Sequence, residues 1–220
     1  MTKFAPESVA CGNCRHVFTH HTLASTYTFG SPDLDTRPPE MQRSTMHAWV
    51  QRCLSCGYCS HDASEFDERF RQVIEGSAYR SQLTDTRYPK LASEFICTGM
   101  LAEAAEQGAD AGWAYLHAAW ALEDANKDEL ARIWRGKAAD KILAVLGDGQ
   151  LFAEQPGASE AIMADCLRRA GRGAKALEVV ERGLSQSYAN VIRKILSFER
   201  VLIQHGDTGP HLIKEALEAG

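Results

Sequence analysis

The chain has 220 residues, of which 45% are hydrophobic, and its formal net charge is -5 at pH 7. This length can bury a core that does not depend on disulfides, in one large domain or two small ones. The negative charge and the lack of a polybasic run exclude a general attraction to nucleic acid, which we do not expect as a partner.

The N-terminal residues and the hydropathy pattern argue against export and membrane insertion. The first residues lack the apolar stretch of a secretory signal, and no apolar run approaches the length of a bilayer-spanning helix. We therefore expect a cytoplasmic protein. In a reducing cytosol, closely paired cysteines are typical of metal or redox sites rather than of structural disulfides.

Two cysteine clusters near the N-terminus carry the strongest chemical signal. They read Cys11-x-x-Cys14 and Cys53-x-x-Cys56-x-x-Cys59. Each C-x-x-C turn supplies two sulfurs from a short chain reversal, and two such turns complete the tetrahedral shell of a structural zinc ion. We predict that Cys11, Cys14, Cys53 and Cys56 bind Zn²⁺ in a zinc-ribbon-like module over residues 1–62, whose folding depends on the metal.

Cys59 is a fifth candidate sulfur for four positions. It is spare, an alternative metal ligand, or the partner of Cys56 in thiol redox chemistry. The run Cys53 to Cys59 also resembles part of an iron–sulfur motif, although the fourth cysteine and the following proline of the bacterial ferredoxin run are missing. Nearby histidines can replace a cysteine, but we predict none of them as a ligand; they are His16, His20, His21 and His61.

The sequence contains no complete catalytic constellation. A catalytic zinc ion needs an open position for water and a nearby group that transfers protons. The H-x-E and P-C-x-x-C pair of the zinc deaminases and the H-E-x-x-H of metalloproteases are both absent from the sequence. Four or five thiolates favour a closed structural site, so we predict no catalytic residue.

The 38 residues between Cys14 and Cys53 form a long insertion for a zinc ribbon. We predict that residues 44–52 form a strand leading into the second cysteine turn, with residues 27–29 as its partner. Prolines flank the charged residues Asp33, Asp35 and Arg37 within this insertion. These three form either a binding loop that faces a partner or an internal salt bridge that orders the insertion, and we favour the salt bridge.

Helical patterns dominate the remainder of the chain. Residues 63–108 are predicted to form connecting helices. The first has an apolar face from Phe66 to Ile74 and ends at Gly76, and the second follows Pro89 and runs to Gly108.

Residues 109–220 show the spacings of tetratricopeptide-like repeats. The clearest unit lies at residues 160–184, where small residues at Ala164, Ala176 and Gly183 allow two helices to approach closely. A weaker unit precedes it, with Ala119 at the position of Ala164, and a third helix pair is expected over residues 189–219. Stacked helix pairs leave a concave surface suited to a protein or peptide, whereas a compact helical bundle is the alternative.

Two groups of side chains in this region are predicted to have structural roles. The aromatic residues are expected to pack in the helical core rather than to form a ligand cage; they are Trp113, Tyr115, Trp120 and Trp134. A local group of basic residues is expected on a solvated face; its members are Arg168, Arg169, Arg172 and Lys175.

The order of these motifs resembles a known bacterial family. Cys11-x-x-Cys14, Asp33-x-Asp35-x-Arg37 and Trp49-Val50-x-x-Cys53-x-x-Cys56-Gly57-Tyr58, followed by helices, resemble the family called domain of unknown function 2225. The resemblance spans most of the chain and implies a bacterial cytosolic protein with a zinc-ribbon-like region and a helical-repeat tail. It implies no established reaction. This chain lacks the proline that often follows the first cysteine of the second turn, and Cys59 is extra.

Together these observations predict a mainly α-helical protein. A small zinc-ribbon-like N-terminal module with short β-strands precedes a tetratricopeptide-like helical-repeat region. The leading hypothesis is a zinc-stabilised interaction adaptor without catalytic activity, which binds a protein or peptide on its helical surface. One alternative is a thiol-based redox sensor or enzyme using the Cys53/Cys56/Cys59 cluster. Another is a nucleic-acid-binding regulator that acts through the zinc ribbon, supported locally by Arg15, Arg37 and Arg52.

Overall fold

The protein is mainly helical, as the sequence predicts. The structure is a computed structural model, and it describes residues 1–219. The α-helices follow one another along the last two thirds of the chain. They are α1 (Arg69–Glu75), α2 (Ser77–Thr84), α3 (Lys90–Ala104), α4 (Gly108–Asp124), α5 (Asp128–Gly147), α6 (Ala158–Arg169), α7 (Gly173–Leu184), α8 (Asn190–Gln204) and α9 (Ile213–Glu218).

Two small antiparallel hairpins precede the helices, and each carries one cysteine turn between its strands. In the first hairpin, β1 (Lys3–Ala10) pairs with β2 (Val17–Ser25). In the second, β3 (Gln51–Arg52) pairs with β4 (Cys59–Ser60). Each C-x-x-C turn therefore reverses the chain between two adjacent strands.

The predicted strand pairing of residues 44–52 with residues 27–29 is wrong. Arg43–Ala48 is a short 3₁₀ helix, and only Gln51–Arg52 of this stretch is a strand. The aromatic rings of Tyr27 and Phe29 stack on each other, with centroids 5.8 Å apart. Each hairpin pairs the two segments that flank its own cysteine turn. The strand that leads into the second turn therefore pairs with the strand that follows it, and not with residues 27–29.

The connecting helices lie close to their predicted limits. α1 begins at Arg69 rather than before Phe66, and it ends at Gly76 as predicted. α2 follows immediately. α3 ends at Ala104, and the predicted stop at Gly108 is instead the first residue of α4, because a short turn separates the two helices. Residue 62 lies between β4 and α1, whereas residue 108, the other predicted module boundary, is the first residue of α4.

From α4 onward, helices that follow each other in the chain are packed as neighbours. α4 packs on α5, α6 on α7, and α8 on α9. Ala164 and Ala176 are fully buried. A Cβ added to Gly183 would lie 2.7 Å from Leu196 Cδ1, so a side chain here would push α7 and α8 apart. The small residues at these positions therefore permit the close helix packing that the sequence predicts.

A continuous core joins the hairpins to the helices. Its buried apolar residues extend from Val9 to Ala216. The second cysteine turn contacts α2 through Tyr79, whose hydroxyl donates to the Gly57 carbonyl at 3.0 Å and accepts from the Cys59 N–H at 3.1 Å. Packing and hydrogen bonds thus fix the second hairpin to the helical region.

The insertion between the cysteine turns crosses the helical region. The Leu34 N–H donates to the His211 carbonyl, and the Ile213 N–H donates to the Pro32 carbonyl, both at 2.9 Å. Residues 31–39, which we name the insertion segment, therefore pair with the chain just before α9. Their side chains reach α4, α5 and α6 through contacts described below.

Candidate metal centre

The two cysteine turns share one backbone geometry. In the first turn, the Arg15 N–H donates to the Cys11 carbonyl at 2.8 Å, and Arg15 has a φ of 62°. In the second, the Gly57 N–H donates to the Cys53 carbonyl at 2.8 Å, and Gly57 has a φ of 81°. The residue after the second cysteine is thus left-handed in both turns, a conformation that glycine adopts freely and arginine does not.

The sulfurs of the four predicted ligands converge on one point. Within residues 1–219, Cys11, Cys14, Cys53 and Cys56 are the one group of potential ligands whose atoms all lie within 4.8 Å of one another. The Sγ atoms of Cys11 and Cys56 are 3.7 Å apart, and those of Cys14 and Cys53 are 3.6 Å apart. A tetrahedral ion with Zn–S bonds of about 2.3 Å holds its sulfurs about 3.8 Å apart. We name this group the four-thiol cage, and its size fits a single metal ion.

Backbone N–H groups point at the sulfurs of the cage in a repeated pattern. The His16 N–H donates to Cys14 Sγ, and the Tyr58 N–H donates to Cys56 Sγ. Each donor lies two residues beyond the second cysteine of its turn. Such hydrogen bonds stabilise thiolates, the form in which cysteine binds a metal ion.

The pKa values of three thiols of the cage, those of Cys11, Cys14 and Cys56, are shifted in different directions. Burial raises the pKa of Cys14, but the His16 N–H and the neighbouring thiols lower it more, to about 7. Burial raises the pKa of Cys56 to about 12 and also raises that of Cys11. Four thiolates crowded this closely repel one another, and a bound cation supplies the positive charge that keeps them deprotonated. The donor set therefore fits a divalent metal ion.

Cys59 lies outside the four-thiol cage. It is fully buried, and its Sγ donates to the Gly57 carbonyl at 3.4 Å. Burial and the adjacent thiol of Cys97 raise the pKa of Cys59 well above its usual value. A thiol that stays protonated is a poor nucleophile and a poor metal ligand, so Cys59 behaves here as a small core residue.

The nearby histidines also lie outside the cage. A ring nitrogen of His20 is 3.2 Å from the Ala48 carbonyl, and Nδ1 of His61 is 2.7 Å from the Trp49 carbonyl. His16 and His21 are exposed. The two hydrogen-bonded histidines thus attach both hairpins to the chain around the 3₁₀ helix instead of supplying ligands.

The charged residues of the insertion segment point into the helical region. Asp35 is fully buried, accepts a hydrogen bond from Trp120 Nε1 at 2.8 Å, and pairs with Arg135. Arg37 is also buried; it donates to Glu123 at 2.5 Å and lies 3.3 Å from Asp33. These contacts agree with an internal salt bridge and leave Asp35 and Arg37 no face for a partner.

Glu123 and Arg169 complete this network, which the sequence did not reveal. The Glu123 carboxylate accepts hydrogen bonds from Arg37, Arg135 and Arg169. Burial alone would raise the pKa of Asp35, but Arg135 and Arg169 hold it well below its usual value. Burial together with the charge of Asp35 raises the pKa of Asp33 to about 6.

The prediction that Arg168 and Arg169 lie on a solvated face is wrong. Both are buried. Arg168 pairs with Asp165 at 2.6 Å and with Glu199 at 2.8 Å. Buried arginines need carboxylate partners; Asp165 lies on the same helix, but Glu199 lies on α8, which a local sequence pattern does not identify. One sequence signal for their burial was available: these arginines follow a stretch of α6 whose residues are almost all apolar or small.

Comparison with known proteins does not identify a family. No family model, no curated protein and no solved structure matches the chain. Within residues 1–219, no helix combines the length and the apolar character needed to cross a membrane. The resemblance to domain of unknown function 2225 remains a prediction that rests on its motifs, and the possible function must be argued from the geometry above.

Proposed function

We propose that the protein is a zinc-stabilised interaction adaptor of the bacterial cytoplasm, related to domain of unknown function 2225 and without catalytic activity. The observation that carries this proposal is the four-thiol cage, in which four sulfurs lie at the separations of a tetrahedral ion. Four protein ligands leave no position for water or substrate. Zinc is favoured over an iron–sulfur cluster because the iron and sulfide atoms of a cluster would need wider separations between the cysteine sulfurs.

The position of the cage supports a scaffolding role for the metal. The ion joins both hairpins, the second hairpin contacts α2 through Tyr79, and the insertion between the turns crosses α4, α5 and α6. Metal binding thus holds the two cysteine turns together, while the ion pairs of Asp35 and Arg37 hold the insertion segment on the helices. We infer that the helix pairs are tetratricopeptide-like repeats, which commonly present surfaces to other proteins.

The insertion segment restricts where a protein or peptide partner can bind. It covers Trp120, Arg135 and Arg169 on three successive helices. The partner surface must then lie on another face of the helices. The exposed side chains of Ile133 and Leu143 on α5 are candidates for that contact.

The two alternative functions gain no support from a specific contact. A disulfide between Cys56 and Cys59 would require Cys59 to leave its buried site beside Cys97. For nucleic-acid binding, Arg37 is buried in ion pairs and Arg52 lies 3.8 Å from Glu94.

Metal and sulfide content of the untagged full chain, purified without added metal, tests the first half of the proposal. We expect about one zinc per chain and no sulfide, as for a four-cysteine structural site. Cys53→Ala should lose the zinc, whereas Cys59→Ala should retain it, since Cys59 lies outside the cage. Iron with sulfide, or equal zinc loss in both variants, would contradict the assigned ligand set.

Partner capture with the full chain as bait tests the second half of the proposal, the adaptor function. Ile133→Glu should release a specific protein partner while zinc stays bound, because the change alters an exposed apolar side chain on α5 and none of the four cysteines of the cage. Cys59→Ala is the matched control that retains both. Failure to recover any partner that depends on the helical surface would remove the adaptor hypothesis and leave the metal site intact.

A further inference from the structure

Three tryptophans and a histidine line one surface cavity of 360 Å³ beside the insertion segment. Trp113, His117 and Trp120 stand on one face of α4, and Trp49 follows the 3₁₀ helix. Residues of the insertion and its flanks, including Thr28 and several prolines, complete the lining. The cavity lies within the size range of about 300–1,000 Å³ that is typical of small-molecule sites.

The aromatic rings are grouped around His117. Its ring centroid lies 4.9 Å from that of Trp120, 5.3 Å from that of Trp49 and 5.9 Å from that of Trp113. Burial and the nearby His61 lower the pKa of His117 to about 3. The imidazole is therefore neutral, and it places no positive charge in the aromatic wall.

The cavity is uncharged and rich in π electrons. Within residues 1–219, no Lys, Arg, Asp or Glu belongs to its lining. Trp120 Nε1 donates to the buried Asp35 carboxylate at 2.8 Å, a charge-assisted hydrogen bond that shifts electron density toward the indole ring. Aromatic faces carry negative potential, and tryptophan is the strongest of them as a partner for cations.

Elsewhere the chain supplies its own cation to a tryptophan. Lys137 Nζ lies 4.6 Å from the ring centroid of Trp134 on the same helix. In the part of the chain that the structure describes, no Lys or Arg occupies an equivalent place over Trp49, Trp113 or Trp120. The cavity thus has the surroundings of a cation site without a cation from the protein itself.

We propose that this cavity binds the quaternary ammonium group of a small organic cation. Such a group is weakly hydrated, so it enters an apolar cavity at lower cost than a primary ammonium, and its methyl groups contact several rings at once. An anion would be repelled by the aromatic faces. The site is separate from the four-thiol cage and does not depend on the adaptor function.

The first test compares two ligands of the same shape. The full chain is titrated with choline, and with its neutral carbon isostere, at constant ionic strength while tryptophan fluorescence and backbone amide NMR shifts are followed. A cation–π site should bind choline at least about tenfold more tightly than the isostere. Equal or tighter binding of the isostere would show a merely apolar cavity and would overturn the proposal.

The second test adds a charge to the cavity without removing a ring. Thr28 lines the cavity, and its exposed hydroxyl donates to Gln42 at 3.0 Å. Thr28→Lys should abolish choline binding because it places an ammonium group at the site, whereas Thr28→Gln is a neutral substitution at the same position and should preserve it. Equal affinity of both variants for choline would contradict the assigned chemistry.

Removal of a tryptophan provides an independent check. Trp113→Leu should weaken choline binding about tenfold or more. Because Trp113 also stacks on Phe152, with centroids 4.5 Å apart, the folding of this variant is verified by its amide spectrum. Trp134→Phe, outside the cavity, should leave the affinity unchanged. Absence of saturable choline binding to the wild-type chain, or saturation by a proline-rich peptide in place of choline, would overturn the assignment.

Discussion

At the scale of single residues, the structure places polar groups in surroundings that only their native partners make tolerable. Asp35 has two arginines and an indole N–H as partners. His117, by contrast, has aromatic neighbours, and within residues 1–219 its buried Nδ1 atom has no hydrogen-bond partner. Such an imidazole is stable only while it is neutral, which makes its contribution to folding depend on pH.

His117→Phe should reduce the acid sensitivity of folding. The folded-state pKa of about 3 lies below the usual histidine value of 6.5, so the unfolded chain binds a proton that the folded chain rejects. As the pH falls from 6.5 toward 3, this difference lowers the free energy of unfolding by up to about 1.4 kcal/mol per pH unit. Phenylalanine cannot be protonated and suits the aromatic surroundings.

The measurement is urea unfolding of the wild type and the variant between pH 8 and pH 4. The difference between their free energies of unfolding is plotted against pH. Asp33, whose raised pKa of about 6 acts in the opposite direction, is present in both proteins and cancels in that difference. The variant should gain relative stability steadily below pH 6.5, and near pH 8 the two curves should run parallel. A difference that stays constant with pH would show that His117 has the same pKa in the folded and the unfolded chain, and would contradict the prediction.

At the scale of elements, the cysteine turns show how much a local pattern can determine. The two C-x-x-C chain reversals follow from spacing and turn chemistry alone, although the hairpins that flank them do not, and Gly57 adopts a positive φ, which glycine does freely. The first turn demands the same conformation of Arg15, with a φ of 62°. The second turn is therefore relaxed, because glycine follows its second cysteine, whereas the first turn is strained, because arginine follows its second cysteine.

Gly57→Ala should weaken zinc binding by more than backbone strain alone explains. An added Cβ would lie 2.7 Å from Leu83 Cδ2, which is closer than van der Waals contact allows. The left-handed backbone at this position would also cost an L-residue about 1–2 kcal/mol. Gly149→Ala is the matched control, because its φ of 73° is similar and no atom lies within 4 Å of its Cβ position. Competition with a chromophoric chelator measures the zinc affinity of both variants.

Only the first variant should lose zinc affinity, since Gly149 lies after α5, far along the chain from the cysteine turns. Arg15→Gly should retain or raise the affinity, because it relieves the strained position of the first turn. Equal zinc affinity in Gly57→Ala and the wild type would mean that the second turn tolerates a Cβ by moving away from α2.

The long insertion shows where prediction from the sequence ends. Its salt-bridge character was foreseeable from the prolines around Asp33, Asp35 and Arg37, but its partners were not. Asp35 bonds Trp120 and Arg135, which lie 85 and 100 residues away in the chain. Local composition predicts a strand over residues 44–52. The path of the insertion is decided instead by its tertiary contacts with α4, α5 and α6. The grouping of the four cysteines was predictable from local motifs, but the ion network was not.

At the scale of the whole molecule, the N-terminal third is attached to the helices in two independent ways. The four-thiol cage closes the chain between Cys14 and Cys53. The ion network holds the insertion segment on α4, α5 and α6 through Asp35 and Arg37. Because the two sets of contacts share no residue, losing one should leave the other in place.

Hydrogen exchange of two backbone amides separates these attachments. The Gly57 N–H bonds the Cys53 carbonyl within the second turn, and the Leu34 N–H bonds the His211 carbonyl in the insertion segment. Removal of zinc with a chelator should speed exchange at Gly57 and leave Leu34 protected. Arg135→Met should do the reverse, since breaking the buried Asp35–Arg135 pair costs about 3–5 kcal/mol and leaves Arg169, 3.6 Å away, as the remaining cation at Asp35.

The expected loss of protection at Leu34 is about a hundredfold or more, because each factor of ten corresponds to about 1.4 kcal/mol. Arg132→Met makes the same substitution at an exposed position on α5 and should change neither amide. If chelation and Arg135→Met each exposed both amides together, the cage and the ion network would belong to one cooperative unit, and metal binding would then control the position of the insertion segment as well as the cysteine turns.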